Sequence, residues 1–254
     1  MTGVLTIVGL GPGDPRYLTP AASEALASAT DIVGYGPYVD RVSERPGLRR
    51  HASDNRVELD RARFALDLAA KGAHVAVVSG GDPGVFAMAA AVFEAVENGD
   101  PSWRGLDIRV EPGITAMLAA AARVGAPLGG DFCAMSLSDN LKPWEVVASR
   151  LRAAVSADFV VALYNPISSA RPWQLGAAFE IVSETRGPDT PIVLARAVGR
   201  PDERTRIVRL AEVEAAMADM STLVIIGAST TRLIERPDSA TPYVYTPRFY
   251  GVRP

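Results

Sequence analysis

Three times in its first half the chain passes from an apolar, β-branched run through a turn of glycine and proline into a segment of helical period. The stretches are VLTIVGLGPGD (4–14), VAVVSGGDPGVFAMAAAVFEAV (75–96) and DIRVEPGITAMLAAAA (107–122). A parallel pair of strands needs a long crossover, usually a helix, so this alternation predicts an α/β protein with largely parallel strands. In such sheets ligands bind beyond the carboxyl ends of the strands. The three turns are therefore the first place to look for a site.

The periodicities predict strands near Val4–Gly9, Ile32–Tyr35, Val75–Ser79 and Asp107–Glu111, with helices near Pro20–Ala29, Arg56–Lys71, Phe86–Asn98 and Ile114–Arg123. The Gly/Pro-rich stretch VGAPLGGD (124–131) reads as a domain boundary. It leaves an N-terminal α/β domain over 1–125 and a C-terminal one over 130–254. In the second, strands are expected near Phe132–Leu137, Phe159–Tyr164, Ile192–Ala195, Thr205–Leu210 and Leu223–Gly227, and helices near Trp144–Val155, Pro172–Thr185 and Val213–Met220. The final ATPYVYTPRFYGVRP reads as a tail that packs its aromatics on the surface or on a partner subunit.

A net charge of −3 spread without a basic stripe gives no field for nucleic acid or an anionic membrane. With Cys133 as the single cysteine, there is no intrachain disulfide and no iron-sulfur framework, which fits a reducing cytoplasm. No signal peptide is read at the N-terminus, and no apolar run approaches the length of a membrane span. His51 and His74 lack ligand spacing, so no metal site is expected.

GLGPGD (9–14) looks like a phosphate loop but departs from both known patterns. The dinucleotide fingerprint needs a third glycine where this chain has Asp14, an anion that repels phosphate, and no Gly-Lys-Ser/Thr follows. Pro12 also removes one backbone donor. Asp82 in the GGDPG turn can accept from a ligand hydroxyl or ammonium, or cap a helix beginning at Pro83 or Gly84. Thr115 carries the same pair of readings.

On these residues the chain resembles the tetrapyrrole methylases. Gly9–Asp14 with Leu18 and Thr19 are similar to the family's GxGPGD…LT, Gly80–Pro83 to its GGDP loop, and Pro112–Thr115 to its PGIT turn. The segments VGYGPYVD (33–40), GGDFCAMSLSDNLKPW (129–144) and LYNPISSARPWQL (163–175) are similar to the members that methylate precorrin-3B at C17. The resemblance implies two unequal α/β domains with S-adenosylmethionine held in the interdomain cleft, commonly in a homodimer, and S-adenosylhomocysteine as product. It implies C17 methylation with ring contraction to precorrin-4 in cobalamin biosynthesis. The alternatives are the cobalt-containing equivalent or another ring carbon, C20 or C11.

The cofactor positions it implies are Pro12, Gly80, Gly81, Asp82, Val85, Phe86, Thr115, Ala116, Asn165, Ala197 and Val198, although relatives often carry Met where this chain has Asn165. Asp14, Tyr35, Asp139 and Lys142 are candidates for charge stabilisation and proton movement. The bland alternatives are a solvated loop charge for Lys142 and a core ring for Tyr35. The substrate is an acidic tetrapyrrole, so a cationic rim is expected. The loop RVSERPGLRRHASDNR (41–56) offers Arg41, Arg45, Arg49 and Arg50 for it, either as a carboxylate clamp or as an exposed loop that binds nothing.

Overall fold

A computed structural model of the protein describes residues 3–55 and 57–249. The chain is compact in two units, Met1–Ala116 and Met117–Pro254, which divide at the first turn of a helix ahead of the Gly/Pro-rich stretch.

The first unit runs β1 (Val4–Gly9), α1 (Pro20–Ser28), β2 (Asp31–Tyr35), α2 (Gly36–Val39), β3 (Arg49–Ser53), α3 (Glu58–Ala70), β4 (His74–Ser79), α4 (Met88–Asn98) and β5 (Asp107–Glu111). Its five strands form one parallel sheet in the order β3-β2-β4-β1-β5. Helices cover both faces. Leu5, Ile7, Val75 and Val77 pack toward α3 and α4, while Val8, Ile32, Ala76 and Val78 pack toward α1 and Val39. Burial on both faces explains why β1, β2 and β4 read as near-continuous apolar runs, while β5, DIRVE at one edge, is half exposed and alternates. β3, RRHAS, lacks that run and was not expected as a strand. It is an edge strand held by charge: at the start of β2 the buried Asp31 accepts from Arg49 Nε at 2.8 Å and Nη2 at 2.7 Å, faces His51 Nε2 at 2.8 Å, and accepts from the Thr30 hydroxyl at 2.8 Å.

At the opposite edge the three turns press on one another. Leu10 N–H donates to Ser79 O at 2.9 Å, and Gly11 and Gly81 exchange both backbone bonds, at 3.1 and 2.9 Å. A Cβ on Gly9 would lie 2.6 Å from Gly113 N, and one on Gly113 would lie 2.2 Å from Gly81 O. Gly9 and Gly113 are needed because backbone fills the space a side chain would take, and Gly81 because its φ is 68°.

The second unit continues from α5 (Ala116–Val124) through β6 (Gly125–Ala126), β7 (Phe132–Ser136), α6 (Trp144–Ser156), β8 (Val160–Tyr164), α7 (Gln174–Ser183), β9 (Pro191–Arg196), β10 (Arg204–Arg209), β11 (Thr222–Ile226), β12 (Arg232–Arg236) and β13 (Ser239–Tyr245). The main sheet, in the order β10-β9-β11-β8-β7, is mixed. Only β7 and β8 pair in parallel; β8-β11, β11-β9 and β9-β10 are antiparallel. The expectation of largely parallel strands fails here because the seven residues 197–203 between β9 and β10 are too few for a crossover. The helix expected over Val213–Met220 is absent; Leu210–Glu212 and Ala215–Met217 form two 3-10 turns interrupted by extended Glu214. So short a segment does not recover the cost of nucleating an α-helix.

The expected tail is also structured. β13 pairs antiparallel with β12 and parallel with β6, burying Val244, while Arg236 stands over the Tyr243 ring at 4.5 Å. Tyr250 to Pro254 lie outside the described residues, as does Arg56. Among the described residues no helix is long and apolar enough to cross a membrane.

Burial raises the Asp31 pKa, but hydrogen bonds from Arg49, His51 and Thr30 outweigh it and hold the carboxyl at about 2. A depressed folded pKa contributes stability above the unfolded value, near 4, and loses it as pH falls toward 2. Asp31→Asn should therefore cost about 2 kcal/mol in denaturant melts at pH 7. The gap to wild type should close between pH 4 and pH 2; a constant gap would mean that the ion cluster is not its source. Gly113→Ala should cost about 1–3 kcal/mol through overpacking against Gly81 O, measured by thermal unfolding.

Candidate active site

In the first unit the carboxyl ends of β1, β2, β4 and β5 bring Gly9–Asp14, Tyr35, Gly80–Phe86 and Pro112–Thr115 to one edge. Asp82 ties two turns together: Oδ1 accepts from Gly84 N–H at 2.8 Å and Oδ2 from Gly113 N–H at 3.0 Å. It does not cap a helix at Pro83 or Gly84, because α4 begins at Met88 after Ala87. At Gly81, with φ 68°, an imagined Cβ would make ordinary contact, with Thr115 Cα at 3.7 Å and Ala116 N at 3.8 Å. Thr115 itself is buried. The Gly81 position thus differs from Gly9 and Gly113, where backbone fills the space.

Asp14 begins a 3-10 turn (Pro15–Tyr17), accepting from Arg16 N–H at 2.9 Å and from its guanidinium at 2.9 and 2.7 Å. Arg41 donates to the carbonyls of Leu10, Gly11 and Gly13 on either side of Pro12. Tyr35 packs edge-on against Tyr38 at 5.5 Å, and Tyr38 in turn walls Gly80, whose imagined Cβ would lie 2.7 Å from the ring. Tyr38 was within reach of the sequence, in VGYGPYVD, but nothing there distinguished it from Tyr35.

Arg45, Arg49 and Arg50 of the same loop have partners within the unit. Arg45 donates to the carbonyls of Leu26, Ala27 and Ala29 at the end of α1. Arg49 pairs with Asp31 at the far end of the sheet from the turns. Arg50 bridges Asp40 and Glu44 and reaches Val39 O.

In the second unit β7, β8 and β9 point the same way and end at Ser136, Tyr164 and Arg196. Asn165, Asp139, Lys142, Ala197 and Val198 all follow those ends. Asn165 Nδ2 donates to Ser136 Oγ at 3.0 Å, and Arg171 Nη1 donates to Asn165 O at 3.2 Å. Asp139 Oδ2 accepts from the buried Gln174 Nε2 at 2.9 Å, and its Oδ1 lies 3.9 Å from Arg171 Nε. Burial, then the nearby Arg150 charge, lower the Lys142 pKa. Ser136, Arg171 and Gln174 were missed by sequence reasoning. Their only signal was membership of the segments that resembled known methylases.

Backbone strain adds a further signal. Among the described residues four non-glycines have positive φ: Phe86 at 52°, Asn165 at 49°, Ala197 at 50° and Asp158 at 63°. Asp158 ends α6 in the ordinary left-handed way and binds Ser229. The other three all stand at expected cofactor positions. Such conformations cost about 1–3 kcal/mol each and concentrate at ligand sites.

Comparison with known proteins identifies the family. The family Tetrapyrrole (Corrin/Porphyrin) Methylases matches residues 4–214. The chain is 58% identical over 251 residues to a precorrin-3B C(17)-methyltransferase of Sinorhizobium, covering 99% of this chain and 98% of that protein. It is 37% identical to a probable cobalt-factor III C(17)-methyltransferase of Salmonella typhimurium, covering 96% and 100%. Among solved structures, the methyltransferase CobJ superposes with a TM-score of 0.91 at 53% identity, over 96% of this chain and all of that one. A uroporphyrin-III C-methyl transferase of Thermus thermophilus, complexed with S-adenosyl homocysteine, shares the fold at a TM-score of 0.64 and 24% identity, over 89% and 97%. The chain belongs to the tetrapyrrole methylases.

Proposed function

We propose that this protein is the S-adenosylmethionine-dependent methyltransferase that alkylates precorrin-3B at C17, with ring contraction to precorrin-4, in cobalamin biosynthesis. The observation that carries this reading is 58% identity across nearly the whole length of a precorrin-3B C(17)-methyltransferase. The 37% identity to a probable cobalt-factor III enzyme favours the metal-free macrocycle over its cobalt form. A cytoplasmic homodimer completes the reading, and no nucleic acid or membrane figures in it.

The first unit suits a ligand held through main chain. Gly81, at φ 68° beside Thr115 and Ala116, presents main chain at the end of β4, and we assign Pro12, Gly80, Gly81, Asp82, Val85, Phe86, Thr115 and Ala116 on these turns to the cofactor. In the second unit we assign Asn165, Ala197 and Val198 to the cofactor, two of them in strained conformation. When bound, S-adenosylmethionine supplies an activated sulfonium methyl group. The chain's own task is to orient two partners and to manage charge, and alignment alone accounts for a large part of such rate enhancements.

For charge and proton handling we assign Asp14, Tyr35, Asp139 and Lys142. The Arg16 guanidinium holds Asp14 Oδ2 in place, and the Gln174 amide holds Asp139 Oδ2. Lys142 has no acid within 4 Å among the described residues, so its charge is available to an anionic ligand.

S-adenosylhomocysteine should raise the melting temperature and NAD(P) should not, since only a ligand of the folded state stabilises it. Incubation with S-adenosylmethionine and precorrin-3B should yield a product heavier by one methyl group; turnover of precorrin-2 instead overturns the C17 assignment. Asp14→Asn should lower kcat by about 100-fold, the low end for a lost proton-transfer group, with the S-adenosylhomocysteine shift intact. Unchanged turnover would reduce Asp14 to the cap of its 3-10 turn. Light scattering at about twice 26.9 kDa tests the dimer.

A further inference from the structure

Two tripeptides of the second unit repeat one chemistry. Lys142-Pro143-Trp144 leads from β7 into α6, and Arg171-Pro172-Trp173 leads from β8 into α7. Because β7 and β8 are parallel neighbours, both tripeptides stand beyond the same carboxyl edge. The tryptophan rings meet there edge to face, with centroids 4.9 Å apart and planes at 74°. Trp144 is anchored against the core formed by Leu137, Val147 and Leu151, whereas Trp173 is 50% exposed. Beside them in sequence, Leu141 is 98% exposed.

Neither the fold nor the cofactor accounts for this exposure. A tryptophan resting half-solvated on another tryptophan, with a solvated leucine three residues ahead of Trp144 in the chain, forgoes burial worth about 1.5–3 kcal/mol per large side chain. Exposed aromatic surface on an edge-to-face tryptophan pair points to a binding surface. Its surroundings are cationic. Lys142 has no acid partner among the described residues and feels Arg150; Arg171 has one carboxylate neighbour, Asp139 at 3.9 Å, and keeps a second bond to Asn165 O. The ligand that complements an aromatic shelf with cations beside it is an unsaturated macrocycle carrying carboxylates. That description fits the tetrapyrrole of the preceding section.

We propose that Trp144 and Trp173, with Leu141, form the shelf on which the macrocycle docks, and that Lys142 pairs with one of its peripheral carboxylates. The inference rests on the methyltransferase reading and adds to it the residues that select the ring. Arg171 is a positioning residue here: it holds Asn165 O and borders Asp139, so it links the shelf to the strained Asn165 backbone.

The test uses the full chain and Trp173→Ala, Trp173→Phe, Leu141→Ser and Lys142→Gln. The binding probe is uroporphyrin, a stable polycarboxylate porphyrin, followed by quenching of tryptophan emission. Trp173→Ala should raise both KM for precorrin-3B and Kd for the probe about 10-fold, the scale of one lost aromatic contact, and leave KM for S-adenosylmethionine within about 2-fold. Trp173→Phe should recover most of the loss. Lys142→Gln should raise KM for precorrin-3B and weaken its dependence on salt.

Unchanged KM for precorrin-3B in a folded Trp173→Ala protein overturns the proposal. So does a change in oligomeric state at unchanged KM, which would assign the shelf to a second copy of the chain. Should Trp173→Ala fail to fold, Leu141→Ser decides the matter, because a side chain that exposed does not support the fold; no rise in its KM overturns the shelf. Wild-type protein that binds the porphyrin through Trp173 but leaves precorrin-3B unmethylated would remove the C17 reading and keep the shelf.

Discussion

The contact among the backbones of Gly9, Gly81 and Gly113 is the constraint on which the first unit depends. The imagined Cβ atoms on Gly9 and Gly113 fall 2.6 and 2.2 Å from neighbouring main chain, so no side chain fits between the turns. The paired bonds of Gly11 and Gly81 and the two acceptances by Asp82 then lock three loops into one body. Loops so braced present main chain in a fixed arrangement before any ligand arrives. The cost of ordering a binding loop is met during folding, so it does not weaken affinity.

Much of this was legible in the chain because glycine and proline leave a mark wherever side chains are forbidden, and doubly covered strands leave continuous apolar runs. β1 and β4 with their turns were found in this way, and β5 by the Pro-Gly turn that follows it. β3 left no mark, since RRHAS is held by the buried carboxylate of Asp31 and not by its own apolar face. Local pattern also said nothing about strand direction in the second unit, where connection length decides it, or about β12 and β13, whose Val244 is buried only through pairing with distant residues.

The site was legible to a different degree. The three turns follow from motifs, but the positive φ of Phe86 and Ala197 has no counterpart in composition, because those residue types do not prefer that conformation, whereas Asn165 is a type that tolerates it. The arginine-rich loop shows the converse. Its charge density was plain, yet Arg45 closes a helix end, Arg49 anchors an edge strand and Arg50 serves its own loop. Charge counted along a chain does not reveal which carbonyls or carboxylates have already taken it up.

The Asp31 cluster and the glycine turns stand at opposite ends of the same short strands. β2 spans five residues from Asp31 to Tyr35, about 13 Å at the usual rise. That exceeds the distance of about 7–10 Å over which substitutions usually influence one another energetically. Anchor and site are thus separable along the strand axis. A reserve of stability can be built or drained at one end while binding properties drift at the other, which gives the sheet the modularity of a handle and a blade.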